Sequence, residues 1–253
     1  MIYLSQLLSP KELTSTIHNY QVGLELIDFS VGMNLDCMSK YLEYWRSVLS
    51  QLQNPALTLH GPFLDLNPMS FEPMVAEISW KRFSQAYQAA KFLNADRIIF
   101  HTCRIPTVCY LEGWAKRLAD FWNRFLEKHP DIPISVENVF DEDPSAIADF
   151  ASQVTADNFS LCLDVGHAHH ASPVPLTEWL SILAPWITHL HLHDNCGIKD
   201  EHLAIGDGTI SWMDISKKIA ALPKLKSATI ENLTIQDFQK SLSWCKQNLN
   251  KIF

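Results

Sequence analysis

Short apolar runs alternate with longer amphipathic stretches along this chain, eight times over. Met1 to Leu4 reads as a first strand. Ser9-Pro10-Lys11-Glu12 follows with a capping-box pattern and proline at the first helical position, opening a helix to about Asn19. Val22 to Phe29 reads as a second strand with a helix from about Met38 to Leu52, and Ala56 to His60 as a third with a helix from Met74 to Leu93. Arg97 to His101 precedes a helix over Leu111 to Lys128, and Pro133 to Glu137 precedes one that starts at Asp143-Pro144 and ends near Ser152. The last three units are Ser160 to Asp164 with Leu176 to Leu183, Ile187 to His193 with Trp212 to Ala221, and Ala228 to Glu231 with a helix capped at Thr234 and running nearly to Phe253. Such alternation buries a parallel sheet under helices. Eight units in 253 residues predict an α/β fold, a closed (β/α)8 TIM barrel, as one domain over residues 1–253.

Within the strands a second pattern appears. Thr58/His60, Ile99/His101, Ser135/Glu137, Cys162/Asp164, His189/His191 and Thr229/Glu231 are alternate-residue pairs, each ending in an acid or a histidine, and apolar residues such as Leu59, Val136 and Leu163 stand between their members. Successive strand residues point to opposite faces, so the apolar set faces the helices and the polar set faces the barrel axis. The titratable residues fall at the strands' C-terminal ends, where barrel enzymes keep their chemistry.

Composition adds exclusions. A formal charge of −8 and a pI near 5.7 give no general attraction to the phosphates of duplex DNA, and Lys217-Lys218 is the longest basic cluster. Six scattered cysteines without a CxxC pair, no leader and no apolar run of membrane-spanning length lead us to expect reduced thiols, a cytoplasmic protein and no membrane contact.

The densest chemistry lies between Ile187 and Gly208. His189, His191 and His193 share one strand face, and Asp194, Asp200, His202 and a Gly206-Asp207-Gly208 turn follow. Imidazole and carboxylate are ligands that zinc and similar divalent ions prefer. The candidate metal ligands are His60, His101, Glu137, Asp164, His167, His191, Asp200, His202 and Glu231. Singly, each has an ordinary reading: His60 or His101 as a hydrogen-bonded core histidine, Glu137 or Asp164 as a helix cap or lysine partner. Jointly, acids and histidines on six strand ends aimed at one place would repel and desolvate badly without cations. Periodicity leaves open whether His191 or His193 is the ligand. His18 and His129 read as surface histidines, His169 and His170 as loop residues that flank the site, His189 as packed or hydrogen-bonded deeper in the barrel, Cys103 and Cys196 as buried structural thiols in preference to metal ligands, and Glu25, which could face the axis, as half of a structural salt bridge in preference to a substrate contact.

These residues resemble the xylose isomerase-like TIM barrels, also called the AP endonuclease family 2 superfamily, over essentially the whole chain. The resemblance is carried by LHGPF at His60, IIFH at His101, SVEN at Glu137, LDVGHA at Asp164 and His167, HLHDN at His191, DEHLAIGDG at Asp200 and His202, and IEN at Glu231. It implies the same barrel and two branches of chemistry. Sugar isomerases and epimerases of this superfamily use ligands corresponding to Glu137, Asp164, His191 and Glu231, with the two glutamates moving protons. Endonuclease IV-like members hold three zinc ions with nine ligands, and this chain matches all nine. By that likeness His60, His101 and Glu137 would hold one metal, Glu137, Asp164, His191 and Glu231 a second, and His167, Asp200 and His202 a third. Glu137, Glu231 and His167 would be the catalytic groups. Many epimerases carry arginine where His202 stands.

The expectation from sequence is therefore a phosphoester hydrolase with up to three zinc ions, or a Zn/Mn/Fe mixture, acting on a small phosphodiester. The acidic balance and the expected short loops argue against duplex DNA. One branch of the superfamily cleaves the phosphoester of the cobamide nucleotide loop, and the chain is compatible with it. The competing expectations are a sugar or sugar-phosphate isomerase/epimerase and, outside catalysis, a barrel that stores or senses metal.

Overall fold

A computed structural model of the chain describes residues 1–106 and 109–249. Eight parallel strands close in sequence order: β1 (Ile2–Ser5), β2 (Gly23–Leu26), β3 (Leu57–His60), β4 (Arg97–His101), β5 (Ile134–Glu137), β6 (Phe159–Asp164), β7 (Ile187–Leu192) and β8 (Ser227–Ile230), with β8 pairing back onto β1. Between them run α1 (Pro10–Tyr20), α2 (Gly32–Asp36), α3 (Met38–Gln51), α4 (Pro73–Phe92), α5 (Trp114–Lys128), α6 (Pro144–Ser152), α7 (Val165–Ala171), α8 (Leu176–Ile182) and α9 (Trp212–Ala221), and α10 (Ile235–Asn248) follows β8. The expected barrel is the observed one. The expected run of the last helix to Phe253 ends outside the described residues.

Local chemistry explains the boundaries. Ser9 and Glu12 close the capping box of α1, Asp143 caps α6 through the Ser145 amide, and Thr234 caps α10 through the Asp237 amide. Strand β2 stops at Leu26, short of the expected Phe29. The Gln6 side-chain carbonyl accepts the amides of Ile27 and Asp28 and turns the chain into a 3-10 segment over Asp28–Ser30. Asp164 does the same work after β6: its carboxylate accepts the His167 amide at 2.7 Å and starts α7, so His169 and His170 lie on a helix and not in the expected loop.

The apolar core lies between barrel and helices, where Phe83 stacks on Phe100 and Trp122 and Phe125 meets all three edge-on. The barrel interior is polar. Arg97 is buried there, donating to Ser227 at 2.8 Å with His189 Nδ1 at 2.9 Å, and the Ser135 and Ser160 hydroxyls meet at 2.8 Å. His189 thus hydrogen-bonds inside the barrel, as expected. The register pairs His101 with Glu137 and Asp164 with His191, which levels these side chains at one end of the barrel.

Candidate metal centre

The strand ends deliver acids and histidines to a shared point. Glu137, at the end of β5, is almost fully buried and is approached by four imidazoles. His60 Nε2 and His101 Nε2 lie 3.4 and 3.5 Å from its Oε2, and His167 Nδ1 and His191 Nδ1 both lie 3.2 Å from its Oε1. His191 Nδ1 also has Asp164 Oδ2 at 3.7 Å and Glu231 Oε1 at 3.5 Å. A third group forms where Asp200 Oδ2 meets His167 Nε2 at 3.3 Å and His202 Nε2 at 3.2 Å. All nine residues singled out in the sequence are brought to this end of the barrel, in three groups that meet at Glu137.

Backbone carbonyls orient the rings. A carbonyl can only accept, so a ring nitrogen beside one must carry the proton and the other nitrogen keeps a lone pair. His60 Nδ1 lies 2.9 Å from the Gly61 carbonyl and His202 Nδ1 2.6 Å from that of Glu231. Both Nε2 lone pairs therefore face the site, a common arrangement around metal ligands. His60 Nε2 and His101 Nε2 stand only 3.1 Å apart. Glu137 Oε2 and both ring nitrogens of His191 are buried and make no hydrogen bond among the described residues. Converging donor atoms left unpaired this way fit a divalent cation.

Electrostatics follow from the crowding. Burial pushes the His101 imidazole down to about 3. Burial also works against a charged His202, yet the Asp200 and Glu231 carboxylates outweigh it and raise this imidazole to about 9. Burial raises the Glu231 carboxyl, while Glu137, despite complete burial, is held well below the usual carboxylate range by His191 and His101.

Two residues that the sequence ranked below the nine also reach the site. Glu25 on β2 is fully buried, with Oε1 3.2 Å from His191 Nε2, and its Oε2 accepts from Thr229 at 2.6 Å. It backs the ring that the core acids face, a role the salt-bridge reading touched only in part. His193 settles beside the third group: its Nε2 lies 3.2 Å from Asp164, its Nδ1 3.6 Å from Asp200, and its ring stacks on His202 at 4.1 Å. Both rings at the strand end meet acids, His191 facing Glu137, Asp164 and Glu231 and His193 facing Asp164 and Asp200, and each stands in a group that could hold an ion. Gly166 makes room for His193, since a Cβ there would come within 2.0 Å of the His193 ring. Cys103 is buried as expected and its thiol is pushed up to about 12 by burial, whereas Cys196 is exposed and not a buried structural thiol.

The loop that carries Asp200 and His202 is tied from behind. Asp194 and Leu203 exchange backbone hydrogen bonds at 2.9 and 2.8 Å. The Asp194 carboxylate accepts from the amides of Asn195, Gly206 and Ile210 and from Trp212 Nε1, while Asn232 donates to the carbonyls of His202 and Leu203. Above the groups opens a cavity of about 470 Å³ that reaches His60, His101, Glu137, His167, Asp200, His202 and Glu231. The segments after β3 and β7, residues 61–72 and 193–211, frame it together with Cys103, Arg104 and Ile105 after β4.

Comparison with known proteins agrees with this architecture. A family model for the xylose isomerase-like TIM barrel matches residues 21–247. The uncharacterised protein MJ1311 of Methanocaldococcus jannaschii is 28% identical over 209 residues, which cover 76% of this chain and 70% of that protein. Among solved structures, a D-tagatose 3-epimerase-like protein superposes with a TM-score of 0.83 at 24% identity, covering 99% of this chain and 97% of that one. A D-psicose 3-epimerase from Clostridium cellulolyticum H10, solved with D-tagatose, superposes with a TM-score of 0.77 at 13% identity, over 98% and 99% of the two chains. Among the described residues no helix is long and apolar enough to cross a membrane.

Proposed function

The chain belongs to the xylose isomerase-like TIM barrel family, and from that premise we propose a metal-dependent isomerase or epimerase acting on a small sugar or sugar phosphate. The observation that carries this reading is the convergence of Glu137, Asp164 and Glu231 on His191 Nδ1, at 3.2, 3.7 and 3.5 Å. These four residues would hold one divalent ion, which when bound polarises a substrate carbonyl and acidifies the neighbouring C–H. Glu137 and Glu231 then have the chemistry of a proton-transfer pair. One carboxylate, held ionised by its histidines, takes a proton from the carbon; the other, whose burial favours the neutral form, returns one. The burial of both at the floor of the cavity keeps bulk water from competing for the proton. The epimerases among the structural neighbours support this ordering, which reverses the preference drawn from the sequence.

A second reading, phosphoester hydrolysis, keeps one specific observation in its favour. His60 with His101, and His167 with Asp200 and His202, form two further groups for which sugar isomerisation has no evident use. Together the three groups would hold up to three ions, zinc or a mixture with manganese or iron, as a clamp around a phosphate.

One experiment separates the two. Metal-loaded protein is given ketoses and aldoses in deuterated water, and in parallel bis-p-nitrophenyl phosphate. Deuterium entering the sugar carbon, abolished in E137Q and E231Q and retained in D200A, supports proton transfer. Phosphodiester cleavage without exchange, lost together with one of three bound metals on D200A and H202A substitution, reverses the order.

A further inference from the structure

The wall of the cavity does not match the floor. Outside the acid–histidine groups, the described residues that line it are apolar except for Asp65, exposed at the rim, and Arg104. Arg104 has acids nearby, with Nη1 3.9 Å from Asp141 and Nη2 3.5 Å from Glu142, but its Nε and Nη1 are buried without a hydrogen-bond partner among the described residues, so it is the one buried polar point on this wall. Phe63 stacks on His101 at 4.2 Å and carries the apolar surface from the floor upward. Leu64, Ile105 and Phe140 continue it to the mouth, where they are 65%, 42% and 47% exposed, and Leu7 and Ile27 close the opposite wall. These residues come from loops after five different strands, so the apolar lining is a property of the mouth and not of one loop.

A free sugar carries a hydroxyl on nearly every carbon, and most would lose water against such a wall without gaining a partner. Ordinary surface leucines and phenylalanines are scattered. Here they are continuous with a strongly polar centre.

We propose that the substrate is amphipathic: a polar reacting group sits on the acid–histidine floor and an apolar body, aryl or alkyl, lies against Phe63, Leu64, Ile105 and Phe140. This rests on the reading of the floor as the reactive centre and narrows its substrate class from free sugars to sugars, sugar phosphates or phosphoesters that bear an apolar substituent.

The test uses two ligands that differ only above the floor. Methylphosphonate and phenylphosphonate present the same anionic head to zinc-loaded protein, and calorimetry reads their affinities. Phenylphosphonate is expected to bind about tenfold tighter, because burying most of a ring supplies at least that much. In the L64S/F140S variant the ratio should fall to within about twofold while methylphosphonate binds as before; both side chains are exposed, so folding is not at stake. Equal affinities in the wild-type protein overturn the proposal, and so does a ratio unmoved by the double substitution. If neither phosphonate binds, the floor is not an oxyanion site, and the wall is read with methyl and phenyl β-D-glucopyranoside instead. A phenyl preference lost in the variant upholds the amphipathic substrate, and equal binding overturns it.

Discussion

Glu25 offers the most direct test of how the centre is built. Its carboxylate lies 3.2 Å from His191 Nε2, on the side of the ring away from Glu137, Asp164 and Glu231, and no water reaches either group. A carboxylate there holds the proton on Nε2, leaves the Nδ1 lone pair for a cation and makes the ring a stronger donor. Glu25→Gln keeps the volume and an oxygen for the ring, and its amide can still donate to Thr229, which holds Oε2 at 2.6 Å. What is lost is the charge. Weakening a group that stands behind a metal ligand costs about 10–100-fold in affinity, and losing the charge alone belongs at the lower end, about 1.4 kcal/mol. That corresponds to about a tenfold loss of zinc affinity at the group containing His191. Glu25→Ala, which also leaves the ring without an acceptor, should cost about a hundredfold, the upper end for residues that support a metal ligand. Competition against a chromogenic chelator measures this, since each bound equivalent is titrated separately. The reasoning is refuted if E25Q holds every equivalent as tightly as wild type. It is equally refuted if all equivalents weaken alike, which would mean a general loosening of the barrel.

Three further outcomes follow from other parts of the centre. Gly166→Ala drives a Cβ to 2.0 Å from a fully buried His193 ring; overpacking of this kind costs about 1–3 kcal/mol, and a melting temperature lower by about 5 °C is expected. An unchanged melt would show that the ring has room to retreat. Asp194→Asn sets an amide NH2 among four N–H donors, at about 3 kcal/mol for the donors left unpaired. Faster hydrogen exchange over residues 195–211 and loss of metal at Asp200 and His202 should accompany it; protection equal to wild type contradicts that role. The third outcome concerns pH. His202 is raised to about 9 in the folded chain, so in metal-free protein its contribution to stability is complete below about 6.5 and disappears as pH climbs through 9. A metal must displace that proton, so zinc affinity should rise with pH toward about 9, and the rise should be shallower in H202A, where the raised His167 still carries part of it. Chelator competition at pH 6.5, 8 and 9.5 reads it, and a flat profile in wild type speaks against the assignment.

The parts of this molecule that could be read from sequence are those governed by strand periodicity. Thr58/His60, Ser135/Glu137 and Cys162/Asp164 announce their direction because the β-pleat alternates with a period of two and apolar neighbours mark the other face. The cap at Thr234 was legible for a similar reason, being a short-range match of hydroxyl to amide. Helix α7 was not legible: Val165-Gly166-His167-Ala168-His169-His170-Ala171 has a glycine, three histidines and no apolar stripe, and it exists because Asp164 caps it. The end of β2 depended on Gln6, which lies on another loop more than twenty residues away. Glu25 and His191 meet only because the closed barrel brings their side chains together across its interior, a relation no local spacing encodes.

Glu137 is a single carboxylate facing three groups of donors. Whatever ion first takes one of its oxygens changes the charge and angle that the other oxygen offers to the next. If these groups take ions, their occupancies are coupled: the affinity for a second ion should depend on whether manganese or zinc holds the first. Any activity measured without a metal inventory would then average over several metal states that share one amino-acid sequence.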